Sequence, residues 1–315
     1  MKYLERARRT SLSLASRNQA NNFKNSLIVF VGGMSYGAVG SIVKLSLEAG
    51  FTNFQVMFSQ VFFGWLIFLA IAFLRVLFRG HRIEVTKTQV LKLVACGLVN
   101  GSTGLFYTLS LGRLPASVAI TMLFQFTWIG IVIQAIYTKK MPSIWSVLAG
   151  IIIFGGTIFA SGIYNLNPES LDALGIIYGL LAAISCALFM FLSGTVETEV
   201  DALDRGLLFL TGAALLGFIF CPSYFTSGAL QAGIWKYGLL LGPLSSVIPV
   251  FFFSVATPYL PSGLSTIMAS SELPMSIMCA MIILGEHVEP LRLIGVGIIL
   301  FGVVVAQLQN IRYSS

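Results

Sequence analysis

The chain has 315 residues, of which 57% are hydrophobic and only 10% charged, with 31 glycines and a formal net charge of +7. A soluble domain carries about 25% charged residues, and the mean hydropathy here is +0.89. A soluble enzyme has too little interior to hide this much apolar surface, and a disordered chain does not carry it, so both classes are excluded.

A helix that crosses a bilayer needs about 20 apolar residues. Ten such stretches follow one another, at 26–46, 53–74, 91–111, 116–136, 143–162, 173–193, 206–222, 237–257, 263–284 and 291–308. The fold class they predict is an all-α membrane protein with ten transmembrane helices. A transmembrane barrel alternates apolar and polar residues in short segments, whereas these runs are continuous. The eighth run is the weakest, because it carries Pro243 and Pro249. Proline is tolerated in a bilayer helix when neighbouring groups re-satisfy the freed backbone. Residues 1–25 are polar and basic and are expected to form a disordered topogenic tail that could also rest on anionic lipid. The first apolar run has full span length and reads as a retained anchor. The four cysteines, Cys96, Cys186, Cys221 and Cys279, fall in or at the ends of different spans with no paired spacing. Neither a metal site nor a disulfide framework is expected from them.

The positive charges are distributed unevenly. With the N-terminus inside, fifteen of the 19 Lys and Arg residues lie in inside segments, Arg205 among them. Only Arg113, Lys236 and Arg292 lie outside, and Lys44 lies within a span. The positive-inside rule then puts both termini in the cytoplasm of a multi-pass cell-membrane protein. The basic residues flank spans and do not line one groove, so no nucleic-acid partner is expected.

The sequence repeats itself. Leu114-Pro115 and Leu260-Pro261 each end one span and begin the next, 146 residues apart. Gly150-Ile151-Ile152-Ile153-Phe154-Gly155 matches Gly297-Ile298-Ile299-Leu300-Phe301-Gly302 at an offset of 147. The halves are 26–162 and 173–308, joined by a linker at 163–172. Five spans is an odd number, so consecutive copies enter the membrane from opposite sides. This is an inverted-topology repeat, a plan used by secondary transporters whose substrate sites lie near the midplane where the repeats meet.

With these features the chain resembles the EamA family of the drug/metabolite transporter superfamily. The resemblance is carried by Glu272-Leu273-Pro274 in span nine, Leu284-Gly285-Glu286 at its exit, and Gly295 with Gly297 to Gly302 in span ten. Lys44 also matches a common family position. The first half departs from the pattern. Lys139-Lys140 stand where Gly-Glu is expected, Gln60 stands where many relatives carry Arg, and Phe126 to Trp128 lack a proline. The resemblance implies ten helices, a central cavity and alternating access, commonly for export of amino acids and other small metabolites.

Glu272 is the leading candidate for the coupling residue. It falls near the middle of span nine, where an ionisable side chain is costly and by default marks function. It could exchange protons or bind a substrate amine; the alternative is a carboxyl hydrogen-bonded to Ser270 that holds the bundle together. Lys44 is expected to snorkel or pair with Glu48, and Glu286 and His287 to cap helices or pair with Arg292. Helical spacing adds a candidate substrate-binding set: Asn100, Thr103 and Tyr107 on span three, Gln125 and Trp128 on span four, Ser245 and Phe252 on span eight, with Tyr36 and Gln60 mid-span in one and two. Mostly apolar walls with a few oriented polar groups suit a small amphipathic solute. Gly33/Gly37 and Gly97/Gly101 are read as close helix contacts.

No phosphate-binding loop, His-Glu-x-x-His or intramembrane Asp is present, so no enzymatic activity and no cofactor are expected. The partners expected are a small-molecule metabolite and the lipid bilayer, with the protein a monomer or homodimer. The predicted function is a secondary active transporter, exporting small metabolites such as amino acids by rocking between the two halves, coupled to protons through Glu272. An uncoupled facilitator or exchanger of the same fold is the alternative; a non-transporting scaffold or receptor would need larger loops than these.

Overall fold

The computed structural model describes residues 2–80, 84–163, 172–285 and 287–312; of 2–20, 79 and 308–312 it describes the helical backbone alone. Most of the expected linker, and Glu286, lie outside the described residues. Ten helical stretches are long and apolar enough to cross a membrane, and each coincides with one of the ten predicted runs to within a few residues. The agreement has a simple origin, since lipid forces every backbone polar group into an internal hydrogen bond over a fixed length.

The helices are α1 (Lys2–Glu48), α2 (Asn53–Arg79), α3 (Lys87–Leu111), α4 (Ala116–Leu123), α5 (Phe126–Thr138), α6 (Ile144–Ser161), α7 (Ala173–Thr195), α8 (Ala202–Phe220), α9 (Ile234–Leu241), α10 (Ile248–Ala256), α11 (Ser262–Ala269), α12 (Glu272–Leu284) and α13 (Pro290–Arg312). The backbone of α1 continues through the basic segment expected to be disordered, which contains no Gly or Pro to interrupt it. Side chains define several starts. Thr52 with Gln55 and Thr86 with Gln89 form capping boxes on α2 and α3, and Asp172 and Asp201 accept from the first turns of α7 and α8. Each cap occupies orphan donors that the helix itself cannot satisfy.

Spans four, eight and nine are interrupted. Span four breaks at Phe124 and Gln125 and span nine at Ser270 and Ser271, 146 residues on. Phe124 and Ser270 share φ −65 and ψ −5. The span exits match as well, with Lys139 and Gly285 both left-handed at φ 54 and 65. This backbone correspondence is consistent with the inverted repeat expected from the sequence. In span nine the break is followed by Pro274 in the first turn of α12, where a missing N–H costs least. In span four polar side chains replace the proline. Gln125 Nε2 donates to Thr121 O at 2.9 Å, and Thr127 Oγ1 donates to Phe124 O at 2.5 Å. Span eight joins α9 to α10 through a π-helical segment, Gly242–Val247, in the region where Pro243 and Pro249 remove backbone donors. That segment lies against Gly64 of α2.

Packing crosses the sequence halves. The α1 helix packs on α10 and α12, and α2 on α9; their repeat counterparts α7 and α8 both pack on α3. The first two spans of each half therefore lie against the third span of the other half, while α6 packs along α13. Glycines permit the closest crossings. A Cβ at Gly97 of α3 would strike the Phe209 backbone of α8, and one at Gly295 of α13 would strike the Ala160 backbone of α6. Gly33 and Gly37 seat α1 against the break of span nine. Rocking of the two sequence halves as intact units does not match this packing, because the packed groups each mix elements of both.

Candidate functional site

Between the group around α1 and α12 and the group around α3, α7 and α8 lies a cavity of about 750 Å³. It runs from mid-span to one face of the bundle, reaching Leu47, Asn53, Leu111, Gly162, Phe220 and Leu284 at the helix ends of that face. Among the described residues, no lining residue lies at the helix ends of the opposite face, the one carrying the N-terminus, so the cavity is closed toward it. Apolar walls come from Val39, Val56, Met57, Ile120, Phe189, Met190, Leu210 and Phe253.

Glu272 lines the inner part of the cavity from the first residue of α12. The helix break puts it there, because without the interruption at Ser270 and Ser271 the chain would pass this depth as regular helix. Tyr36 of α1, Tyr107 of α3 and Cys186 of α7 also line the cavity and lie within electrostatic range of its carboxyl. No ion pair or hydrogen bond engages the Glu272 side chain among the described residues. In particular Ser270, the expected partner, turns its hydroxyl to Ile267 O at 2.6 Å.

Of the remaining candidates, Tyr36, Gln60, Asn100, Thr103, Tyr107 and Ser245 line the same cavity as Glu272. Gln60 Oε1 and Thr103 Oγ1 are buried without a hydrogen-bond partner among the described residues, as is Ser41 Oγ, another lining residue. Buried polar atoms are nearly always paired in folded proteins, so this group is available to a ligand or to water. Three candidates lie elsewhere. Gln125 is buried at the break of span four, where its Oε1 accepts from Trp128 Nε1 at 2.7 Å. Trp128 is 43% exposed on the outside of the bundle. Phe252 packs beside Phe251 and against Gly32. Equal helical spacing does not decide which face of an interrupted span turns inward, and these two spans are interrupted.

At the cavity mouth Lys44, His287, Glu289 and Arg292 contribute the charged and titratable groups. Arg292 Nε donates to Ala160 O at 2.9 Å, joining α13 to α6. The closed face is held by ionic contacts. Arg75 of α2 meets Asp201 at 2.8 Å and Asp204 of α8 at 3.2 Å, and Lys92 of α3 meets Glu197 at 2.6 Å. Between them and the cavity floor lies Arg205, expected from the sequence to be a cytoplasmic flank. It lies inside α8 and is 1% exposed. Its only sequence signal is its position one residue before an apolar run.

Residues 173–307 match the EamA-like transporter family. The chain is 27% identical over 237 residues to the threonine/homoserine exporter RhtA of Escherichia coli (strain K12), covering 71% of this chain and 73% of that protein. It is 25% identical over 231 residues to the protein of the same name from Salmonella typhimurium (strain LT2), covering 69% and 71%. A solved crystal structure superposes with a TM-score of 0.72 at 15% identity, covering 91% of this chain and 98% of that one, which shows a shared fold.

Proposed function

We propose, on the premise of the match of residues 173–307 to the EamA-like transporter family, that the chain is a secondary active exporter of small amino acids, driven by proton exchange at Glu272. The positive-inside asymmetry favours cytoplasmic termini, which makes the open cavity an outward-facing one. The observation that carries the coupling role is the carboxyl of Glu272 in the inner part of that cavity, with no cation or hydrogen-bond donor engaged among the described residues.

The chemistry follows from competition. A proton and a substrate ammonium both neutralise a carboxylate, and one carboxylate takes only one of them. From the open side a proton binds Glu272 and releases the amine. The neutral carboxyl crosses to the other state without the cost of an unpaired charge in a low-dielectric bundle. On the cytoplasmic side the proton leaves and a new ammonium takes its place. One proton enters for each substrate exported. Tyr36, Asn100, Thr103, Tyr107, Gln60 and Ser245 supply the polar contacts around that carboxylate, and the apolar walls limit substrate size.

The test is flux in proteoliposomes with an imposed pH gradient, using threonine and homoserine as probes. Glu272→Gln is expected to cut proton-driven flux about tenfold or more, the weight of one charge-assisted contact. Full, normally pH-dependent flux in the variant overturns the coupling role. Wild-type flux that ignores the gradient identifies an uncoupled facilitator or exchanger.

A further inference from the structure

Arg205 is the largest fully buried side chain among the described residues. A buried guanidinium normally meets a carboxylate, because desolvating an unpaired charge is costly. This one has none within ion-pair distance among the described residues. Its neighbour Asp204 is turned to Arg75 at 3.2 Å. Instead Arg205 Nη1 donates to Ser254 O at 3.2 Å and Nη2 donates to Ser193 O. Both carbonyls belong to the last turns of their helices, α10 and α7, where the helix dipoles are negative. The Phe209 ring lies 5.7 Å from the guanidinium carbon. Two polar groups at this spot have no hydrogen-bond partner among the described residues: Arg205 Nε and the Ser254 hydroxyl.

The position matters as much as the contacts. Leu210, Phe253 and Met190 form part of the cavity lining. Arg205, Ser254 and Ser193 follow them toward the closed face by one to five residues, roughly 2–8 Å along the helices at about 1.5 Å per residue. Arg205 thus lies directly beneath the closed floor. Its two carbonyl acceptors come from the two packing groups that flank the cavity, α7 from one and α10 from the other. Thr257 Oγ1 and Ser193 Oγ, 3.3 Å apart, close the same seam. When that seam parts, at least one carbonyl must leave, and the guanidinium loses an acceptor as the site becomes wet from the cytoplasm.

We propose that Arg205 is a substrate-binding residue of the cytoplasm-facing state, which takes the carboxylate of the entering amino acid in place of the helix carbonyls. Nε and one Nη form the planar fork that fits a carboxylate with two parallel hydrogen bonds, and the Ser254 hydroxyl adds a third donor. In the closed arrangement the two carbonyls stand in for that carboxylate as electronegative acceptors. The entering amino acid thus meets a partner for its carboxylate at the cytoplasmic entrance before its ammonium reaches Glu272, which favours a zwitterion over a simple amine. The proposal rests on the amino-acid export reading above.

The experiment is uptake from the cytoplasmic side in oriented proteoliposomes, comparing threonine with its decarboxylated counterpart 1-aminopropan-2-ol and with threonine amide. Wild-type protein is expected to prefer threonine. Arg205→Met is expected to raise the half-saturating threonine concentration about tenfold or more, as loss of a charge-assisted pair does, while changing that of the amine by less than about twofold. Arg205→Lys restores part of the preference, since it keeps the charge and loses the fork. Equal losses for threonine and the amine identify a structural latch only and overturn the carboxylate role. If Arg205→Met does not fold, the wild-type preference and Arg205→Lys decide: absence of any preference for a free carboxylate overturns the proposal and leaves export standing. Wild-type protein that moves none of the three overturns the export reading and this proposal with it.

Discussion

At the scale of single residues, the charged groups divide into those paired on the closed face and those to which the proposed transport chemistry is assigned. Burial is the largest single influence on the Asp201 carboxyl and raises it, but the hydrogen bond and charge of Arg75 together with the backbone N–H groups of Leu203 and Asp204 outweigh it and hold the group below the usual carboxylate range. Lys92 and Gln89 hold Glu197 low in the same way. A carboxyl with a lowered folded-state pKa contributes stability that is fully present above its unfolded value, about 4, and lost only as pH falls through the lowered one. Asp201 and Glu197 therefore keep their charge from about pH 5.5 to about pH 8. Any pH dependence of transport in that window originates elsewhere, and Glu272 is the carboxyl lining the inner cavity. The expected outcome is transport that varies with pH in the wild type and in Asp201→Asn, and is flat in Glu272→Gln. An Asp201→Asn profile that loses its pH dependence would move the coupling role from Glu272 to the closed face.

At the scale of elements, the repeat makes a quantitative comparison possible inside one chain. Lys139 and Gly285 end spans four and nine in the same left-handed conformation. Glycine adopts it freely, whereas a side chain there costs about 1–2 kcal/mol. Gly285→Ala is expected to lower stability by about 1 kcal/mol, and Lys139→Gly to leave it unchanged or raise it by less than about 1 kcal/mol. Thermal unfolding of both variants in detergent checks this, and a stabilised Gly285→Ala would refute it. The same comparison explains what the sequence made legible. The ten spans could be read because lipid imposes one length and one polarity on all of them. The face of α3 holding Asn100, Thr103 and Tyr107 could be read because α3 is uninterrupted. Gln125 and Trp128 were misplaced because the break in span four reorients the chain, and no proline announces it. Gln125 then spends its amide on the break itself. Arg205 was missed because a cation at the edge of an apolar run reads as a flank, and only tertiary packing shows it folded inward.

At the scale of the whole molecule, the crossed packing defines what must move. The cavity separates α1 and α12 from α3, α7 and α8, and on the closed face Arg75 of α2 reaches across to Asp201 and Asp204 at the start of α8. Exposed ion pairs contribute little, about 0–1 kcal/mol each, but the Asp204 side chain is 5% exposed and that of Arg75 18%. A partly buried contact weighs more than an exposed one, so removing Arg75 weakens the closed face. A shift of 1.4 kcal/mol changes the ratio of two states about tenfold. Arg75→Ala should therefore populate the state open at the N-terminal face at the expense of the one closed there. Cys186 reports on this without an introduced probe: it lines the cavity, while Cys96, Cys221 and Cys279 are buried. An impermeant thiol reagent added to the open side is expected to label Cys186 in the wild type, and Cys186→Ser to abolish that labelling. Arg75→Ala is expected to slow it several-fold, up to about tenfold. Unchanged labelling in Arg75→Ala would mean that the ionic contacts are ornaments of a face held shut by Arg205 and the glycine-mediated crossings alone.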